Sequence, residues 1–298
     1  MDITRTIAAM GPPWQLYLDF IVFCLGACMG SFLNVCIYRI PREESVVTPG
    51  SHCPHCATPI AWYDNLPLLS WLLLRAKCRK CGGPISARYV LVELLTAILF
   101  LMVWLKFSPA GHPCSLALSP VFDIRLVPIY WLAVFGLMLG TFVDLEHMII
   151  PDRVSLGGIV LGIGLSALVP SMHPRATTAL GGASAALLGA AVGAGSLWLV
   201  AMLGKIIFRK DAMGLGDVKL LGAIGAFLGW VPVVFTIMMS SFAGAIVGVT
   251  LVLSGRKEMQ SRIPYGPYLA LAALVWMFWG PTLTSLYLDW LLPPTASI

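Results

Sequence analysis

Two aspartates, Asp144 in "TFVDLEHMIIPD" and Asp217 in "MGLGDVKLL", sit in a chain that otherwise spends few charges on its apolar runs. An ionisable group at membrane depth is costly to keep, so each is a candidate for chemistry. Two carboxylates held side by side resist joint ionisation and share one proton. The ionised member can then deprotonate a water while the protonated one hydrogen-bonds a carbonyl, which is peptide hydrolysis by an aspartate pair. Gly214 and Gly216 remove side-chain bulk in front of Asp217 and permit positive φ, so an extended strand can approach. With Lys219 two residues beyond, they are the candidate substrate-binding residues. The competing reading has Asp217 N-capping a helix and Asp144 meeting the interface. Asp152, just after Pro151, is expected to cap the next helix, while Asp19 and Glu93 read as reaching the interface from span ends. "DLEH" with Asp152 is a weaker candidate for a metal cluster. "HExxH" and "GxSxG" do not occur.

A second group of reactive side chains lies upstream, as "CPHC" (Cys53, Cys56) and "CRKC" (Cys78, Cys81). Two intervening residues let both thiolates of a pair reach one ion, and the 21-residue gap between pairs closes a loop of zinc-ribbon size. Four thiolates make a closed, structural zinc site with no position left for water. Two disulfides are the alternative, against which a reducing cytoplasm argues. His52 and His55 are adjacent potential ligands. Cys24, Cys28 and Cys36 lie within a span, where cysteine behaves as a small hydrophobe; Cys114 stands apart.

The elements that must carry these groups are membrane helices. Of 298 residues 58% are hydrophobic and 11% charged, with a mean hydropathy of +0.87, outside the balance of a soluble domain. The fold class expected is an all-α polytopic membrane protein. Apolar runs at 15–37, 90–106, 126–144, 153–170, 181–204, 217–231, 232–253 and 267–288 give about eight transmembrane helices, the sixth short and meeting the seventh at Pro232. All but four of the 19 basic residues (Arg5, Lys106, Arg125 and Arg175) fall in loops after odd-numbered spans, which places those loops in the cytoplasm and both termini outside. Asp144 and Asp217 then share the cytoplasmic depth. Three parts follow: 1–37, the N-terminus with the first span; 38–89, a cytoplasmic four-cysteine insert; and 90–298, the remaining bundle. The net charge of +5 is a topogenic signal rather than a sign of nucleic-acid binding. No cleavable signal precedes the first span. Glycine pairs at four-residue spacing (26 with 30, 158 with 162, 189 with 193, 225 with 229, 244 with 248) read as close helix contacts, and Trp104, Trp131, Trp198, Trp230 and Trp276 as interfacial anchors.

"GSFLNVCIYRIP" (30–41), the two CxxC pairs, "DNLPLLSWLLLRAKCRKC" (64–81), "RYVLVELLTA" (88–97), "DLEHMIIPD" (144–152), "MGLGDVKLLGAIGAFLGW" (213–230) and "IPYGPYLA" (263–270) occur in this order. Together they resemble the type IV prepilin leader peptidases. The resemblance implies a bifunctional enzyme of the bacterial inner membrane. It would cut the basic leader from type IV prepilins or type II secretion pseudopilins at the cytoplasmic face, then methylate the new N-terminal residue with S-adenosylmethionine. It puts the catalytic pair on Asp144 and on Asp217 of the GxGD motif. No Rossmann fingerprint marks a cofactor site, and the surroundings of the insert are where that site is expected. Two other classes remain: a proton- or cation-conducting transporter using the same carboxylates, and a scaffold of a pilus or secretion machine.

Overall fold

In lipid every backbone amide and carbonyl must find its partner within the segment, so the apolar runs become helices. The computed structural model describes residues 12–107, 123–209, 213–254 and 264–291. Its α-helices are α1 (Pro12–Arg39), the short α2 (Leu69–Leu73), α3 (Ala87–Phe107), α4 (Leu126–His147), α5 (Asp152–Leu168), α6 (Ala179–Phe208), α7 (Leu215–Leu228), α8 (Trp230–Leu253) and α9 (Gly266–Leu291). Among the described residues, extended pairing is limited to two isolated bridges, His52 with Pro59 and Lys77 with Pro84. Arg5, Cys114, Lys210, Arg256, Lys257 and Arg262, used above for topology and cysteine counting, lie outside the described residues.

All eight apolar runs are helical, but six of the helices (α1, α3, α4, α6, α8 and α9) are long and apolar enough to cross a membrane. The chain is a multi-pass membrane protein. Of the eight spans expected, α5 and α7 are the two that fall short of that length. Their 17 and 14 residues reach about 26 and 21 Å, short of a hydrocarbon core of about 30 Å. The break between α7 and α8 is also not at Pro232. It is at Gly229, whose φ of +94° excludes most side chains, while Pro232 sits in the first turn of α8, where its missing amide costs nothing.

Close backbone approach decides the packing. A methyl on Gly26 would stand 2.8 Å from the Ala97 Cα, and one on Gly30 would strike Glu93, so α1 lies directly on α3. On the other side of the bundle, a methyl on Gly189 would run into the Gly225 carbonyl and one on Gly193 into that of Leu221, which seats α6 on α7. Gly162 of α5 meets Ala226 in the same way. A methyl on Gly244, by contrast, would meet only ordinary van der Waals contact, with the Tyr265 and Tyr268 rings at 3.9 Å. Buried side chains form one cluster around α1, α3 and α4 (Leu33, Val103, Val134) and another around α6, α7, α8 and α9 (Leu197, Leu221, Val233, Leu269).

Two of the expected interfacial tryptophans are packing residues instead. Trp104 is buried and donates its indole N–H to Asp19 at 3.0 Å, and Trp131 stacks on Phe100 with ring centroids 5.2 Å apart. Trp198 and Trp230 do face outward. Asp19 is thus paired within the bundle. Glu93, only 9% exposed, accepts the Leu68 N–H at 2.7 Å and ties α3 to the segment between α1 and α3, so neither acid simply reaches for the interface.

Candidate active site and metal centre

The helix ends at one face of the bundle bring the singled-out acids together. α4 stops at His147 because Met148 turns left-handed (φ 53°) and returns its N–H to the Asp144 carbonyl at 2.9 Å. Asp144 is left on the last turn, 5% exposed. Asp217 is the third residue of α7, half-buried; the N-cap is Gly214, so Asp217 does not N-cap the helix. Its carboxylate accepts the Gly214 N–H instead, the way an acidic residue at this position reaches back to the N-cap amide. Asp144 and Asp217, 73 positions apart in sequence, are close enough for their charges to interact.

A third helix completes the arrangement. The N–H of Gly266, the first residue of α9, donates to Asp144 Oδ2 at 2.9 Å. Two helix N-termini, those of α7 and α9, therefore point partial positive charge at two carboxylates, which offsets part of the cost of burying them. A side chain at Gly266 would displace the carboxylate: a Cβ would stand 2.8 Å from Asp144 Oδ2. In the sequence, "IPYGPYLA" gives Gly266 no role of its own. Its readable signal was a glycine followed by proline at a helix start, where the amide ahead of the proline is free to serve another group.

The glycines before Asp217 act differently from the expectation. Gly214 has φ −74° and Gly216 lies inside α7, so neither uses positive φ. Gly216 makes room for Ile150, whose Cβ would be 3.2 Å from an added methyl, and the same Ile150 side chain reaches Gly266. Ile150 is thus a wedge that fixes the spacing between the two acids. Among the described residues, only Asp217 Oδ2 and the Gly216 amide lie within 4 Å of a Cβ placed on Gly214, so no other described side chain crowds Asp217 from that side.

Asp152 begins α5 but makes no capping bond, which corrects the expected helix cap. Its carboxylate pairs with Lys219 of α7 at 2.7 Å, an exposed contact worth about 0–1 kcal/mol. Glu146 pairs with Arg88 of α3 and also stands 3.9 Å from His147. Among the described residues, the four cysteines are the one group of three or more His, Cys, Asp or Glu side chains whose atoms could share an ion, so "DLEH" with Asp152 does not assemble as a metal cluster.

The cysteines come together through a local repeat. Cys53 N–H donates to the Thr58 carbonyl and Cys78 N–H to that of Gly83, at 2.9 and 2.8 Å; Ala57 and Gly82 return their amides to the Cys53 and Cys78 carbonyls with positive φ. The bridges His52–Pro59 and Lys77–Pro84 close each loop. Two copies of C-x-x-C-x-x-P therefore fold into two matching knuckles, a repeat that was readable in "CPHCATP" and "CRKCGGP" and was not used. All four Sγ atoms lie within 4.8 Å of one another, with Cys53 and Cys81 3.8 Å apart. Zn–S bonds of about 2.3 Å in a tetrahedron put sulfurs about 3.8 Å apart, so the donor set fits zinc. The Thr58 hydroxyl and amide beside Cys56 hold that thiol down at about 6, whereas at Cys81 the Gly83 amide is outweighed by burial and the neighbouring thiols, which push the thiol up to about 11, so the four thiols ionise as a set.

Comparison with known proteins gives this geometry its context. The bacterial peptidase A24 N-terminal domain model matches residues 24–107, and the type IV leader peptidase family model matches residues 131–249. The chain is 37% identical to the prepilin leader peptidase/N-methyltransferase of Aeromonas hydrophila, across 94% of this chain and 96% of that protein. The protein of the same name from Myxococcus xanthus is 40% identical across 82% of this chain and 65% of its own length, and that of Legionella pneumophila 33% identical across 93% and 96%. No solved structure matches. The two family models between them take in the cysteine knuckles, Asp144 and Asp217, and the chain belongs to the type IV leader peptidase family.

Proposed function

We propose that this protein removes the basic leader from type IV prepilins or type II secretion pseudopilins and then methylates the freed N-terminus. The cleavage site would face the cytoplasm in the bacterial inner membrane. The observation that carries the reading is the meeting of Asp144 and Asp217 at the end of the bundle, with the Gly266 amide holding one of them. Asp144 Oδ2 is committed as an acceptor, so its other oxygen is left to share the proton and the water with Asp217. The ionised carboxylate takes a proton from water, and the protonated one donates to the scissile carbonyl. As the tetrahedral intermediate collapses, the proton passes to the leaving amine. The side at Gly214 admits the extended substrate strand, and Gly216 keeps Ile150 out of its path. Lys219 stands at the rim, where it meets substrate only by exchanging its Asp152 partner.

The four cysteines hold a structural zinc in this reading, through Cys53, Cys56, Cys78 and Cys81, and no step of cleavage passes through it. S-adenosylmethionine, when bound, supplies an electrophilic methyl group for the new α-amine. A transporter has no use for a helix amide aimed at one carboxylate or for a knuckle pair beside it, so conduction is the weaker alternative. The test is direct: purified enzyme incubated with a prepilin should produce a product lighter by the leader and, with S-adenosylmethionine added, heavier again by one methyl. An intact prepilin after prolonged incubation with zinc-loaded enzyme refutes the reading.

A further inference from the structure

The same end of the molecule carries a second concavity that the two aspartates do not line. A cleft of about 950 Å³ lies between the last turns of α1, the first turns of α3 and the segment joining them, with Glu146 of α4 at its edge and the Cys53 and Cys78 knuckles in its wall. Its size is at the upper end for small-molecule sites, about 300–1,000 Å³. Two polar atoms in its lining are buried without a hydrogen-bond partner, Asn34 Oδ1 and Arg88 Nε. Asn34 is 3% exposed and has spent its N–H on the Tyr89 carbonyl at 3.0 Å, so its oxygen is an orphan acceptor. Buried polar groups are almost always satisfied, so an orphan in a cleft calls for a partner. An acceptor without a donor, in the same cleft as the one Arg88 N–H that the pair with Glu146 leaves unmade, points to a ligand carrying both an N–H and an acceptor oxygen.

The remaining lining narrows the chemistry. Glu93 and Glu146 already have partners in the Leu68 amide and Arg88, and basic side chains outnumber acidic ones. Basic groups are thus left in excess of free carboxylates, and a carboxylate on the ligand is matched by them. The Tyr38 and Tyr89 rings line the cleft with a guanidinium over one face each, Arg42 at 4.0 Å and Arg88 at 5.3 Å, so a purine would stack on the opposite faces.

We propose that this cleft binds S-adenosylmethionine, with Asn34 Oδ1 accepting from an N–H of the ligand, Arg88 pairing with its carboxylate, and the tyrosine rings packing on its adenine. The assignment rests on the methyl-transfer reading above and adds the site. It also separates the two activities in space. Asp144 and Glu146 are two positions apart on α4, about 200° around the helix, so the pair and the cleft lie on opposite sides of a cylinder about 10 Å across. The new N-terminus therefore leaves the aspartates and moves around the end of α4 before it is methylated.

Radiolabelled S-adenosylmethionine should bind the full-length, zinc-loaded enzyme in detergent without any prepilin present. Ultraviolet crosslinking should place the label on peptides covering residues 31–39 or 86–93. Asn34→Leu and Arg88→Gln should each weaken binding at least tenfold, with zinc content as the check on folding. Label recovered near Gly214, or affinity unchanged in both variants, overturns the cleft. Competition between a synthetic leader peptide and S-adenosylmethionine would hand the cleft to the leader and likewise overturn it. Wild-type enzyme that methylates precleaved pilin yet binds no S-adenosylmethionine would instead sink the choice of methyl donor. Should a variant fail to fold, the crosslinking map on the wild type still decides.

Discussion

Replacing Gly266 with Ala tests whether an amide of α9 sets the aim of Asp144. The added Cβ would stand 2.8 Å from Asp144 Oδ2 and 3.2 Å from Ile150 Cδ1, with the second neighbour a flexible methyl and the first the carboxylate proposed to react. Carbon and oxygen at rest keep a larger separation, so the carboxylate or the first turn of α9 must yield by about 0.5 Å. A 1 Å misplacement in an active site costs about 100-fold, and half of that displacement should cost about tenfold. The assay is kcat for leader removal from a prepilin in detergent, followed by mass. kcat should fall about tenfold with KM nearly unchanged, and methylation of a precleaved substrate should be unaffected. Overpacking also costs about 1–3 kcal/mol of stability, which a thermal melt separates from the kinetic effect. Gly157→Ala and Gly164→Ala, on α5 with nothing within 4 Å of the added methyl, are the controls and should leave cleavage untouched. A Gly266→Ala enzyme that cleaves at the wild-type rate refutes the role given to this amide.

Asp144→Asn and Asp217→Asn keep size but remove the shared proton, so each should abolish cleavage in protein that still inserts and binds zinc. Asp152→Asn should lose only its exposed pair with Lys219, about 0–1 kcal/mol, and part of the activity; a dead Asp152→Asn beside an active Asp144→Asn would move the pair to Asp152. In zinc-stripped protein the Cys56 thiol sits well below its ordinary 9.0, at about 6. Its alkylation rate at pH 7 should therefore be near maximal and should fall as pH drops through about 6, with Thr58→Val moving that midpoint upward and added zinc blocking the reaction; a midpoint near 9 would contradict the role of Thr58. Gly189→Ala drives a methyl into the Gly225 carbonyl and should lower the melting temperature markedly, whereas Gly195→Ala, with open space around it, should not.

Much of this architecture was legible in the chain. Apolar runs become helices in lipid regardless of their neighbours, because the backbone has no other partner there, so all eight fell close to their expected ranges. The paired cysteines likewise declare a shared ion by spacing alone, since two intervening residues bring two thiolates to one point without help from the rest of the fold. What the sequence left undecided depends on contacts between distant segments. Gly216 reads as space for an approaching substrate strand until Ile150 is seen packed on it, and Asp152 reads as a helix cap until Lys219, 67 positions away, takes its carboxylate. Gly266 carries no side chain for chemistry, so no composition rule could single it out; its backbone amide matters only because α9 starts 2.9 Å from Asp144 Oδ2. Local rules settle which segments are helices and which cysteines pair. The aim of a carboxylate depends on which helix end arrives beside it, and that is fixed only when the bundle closes.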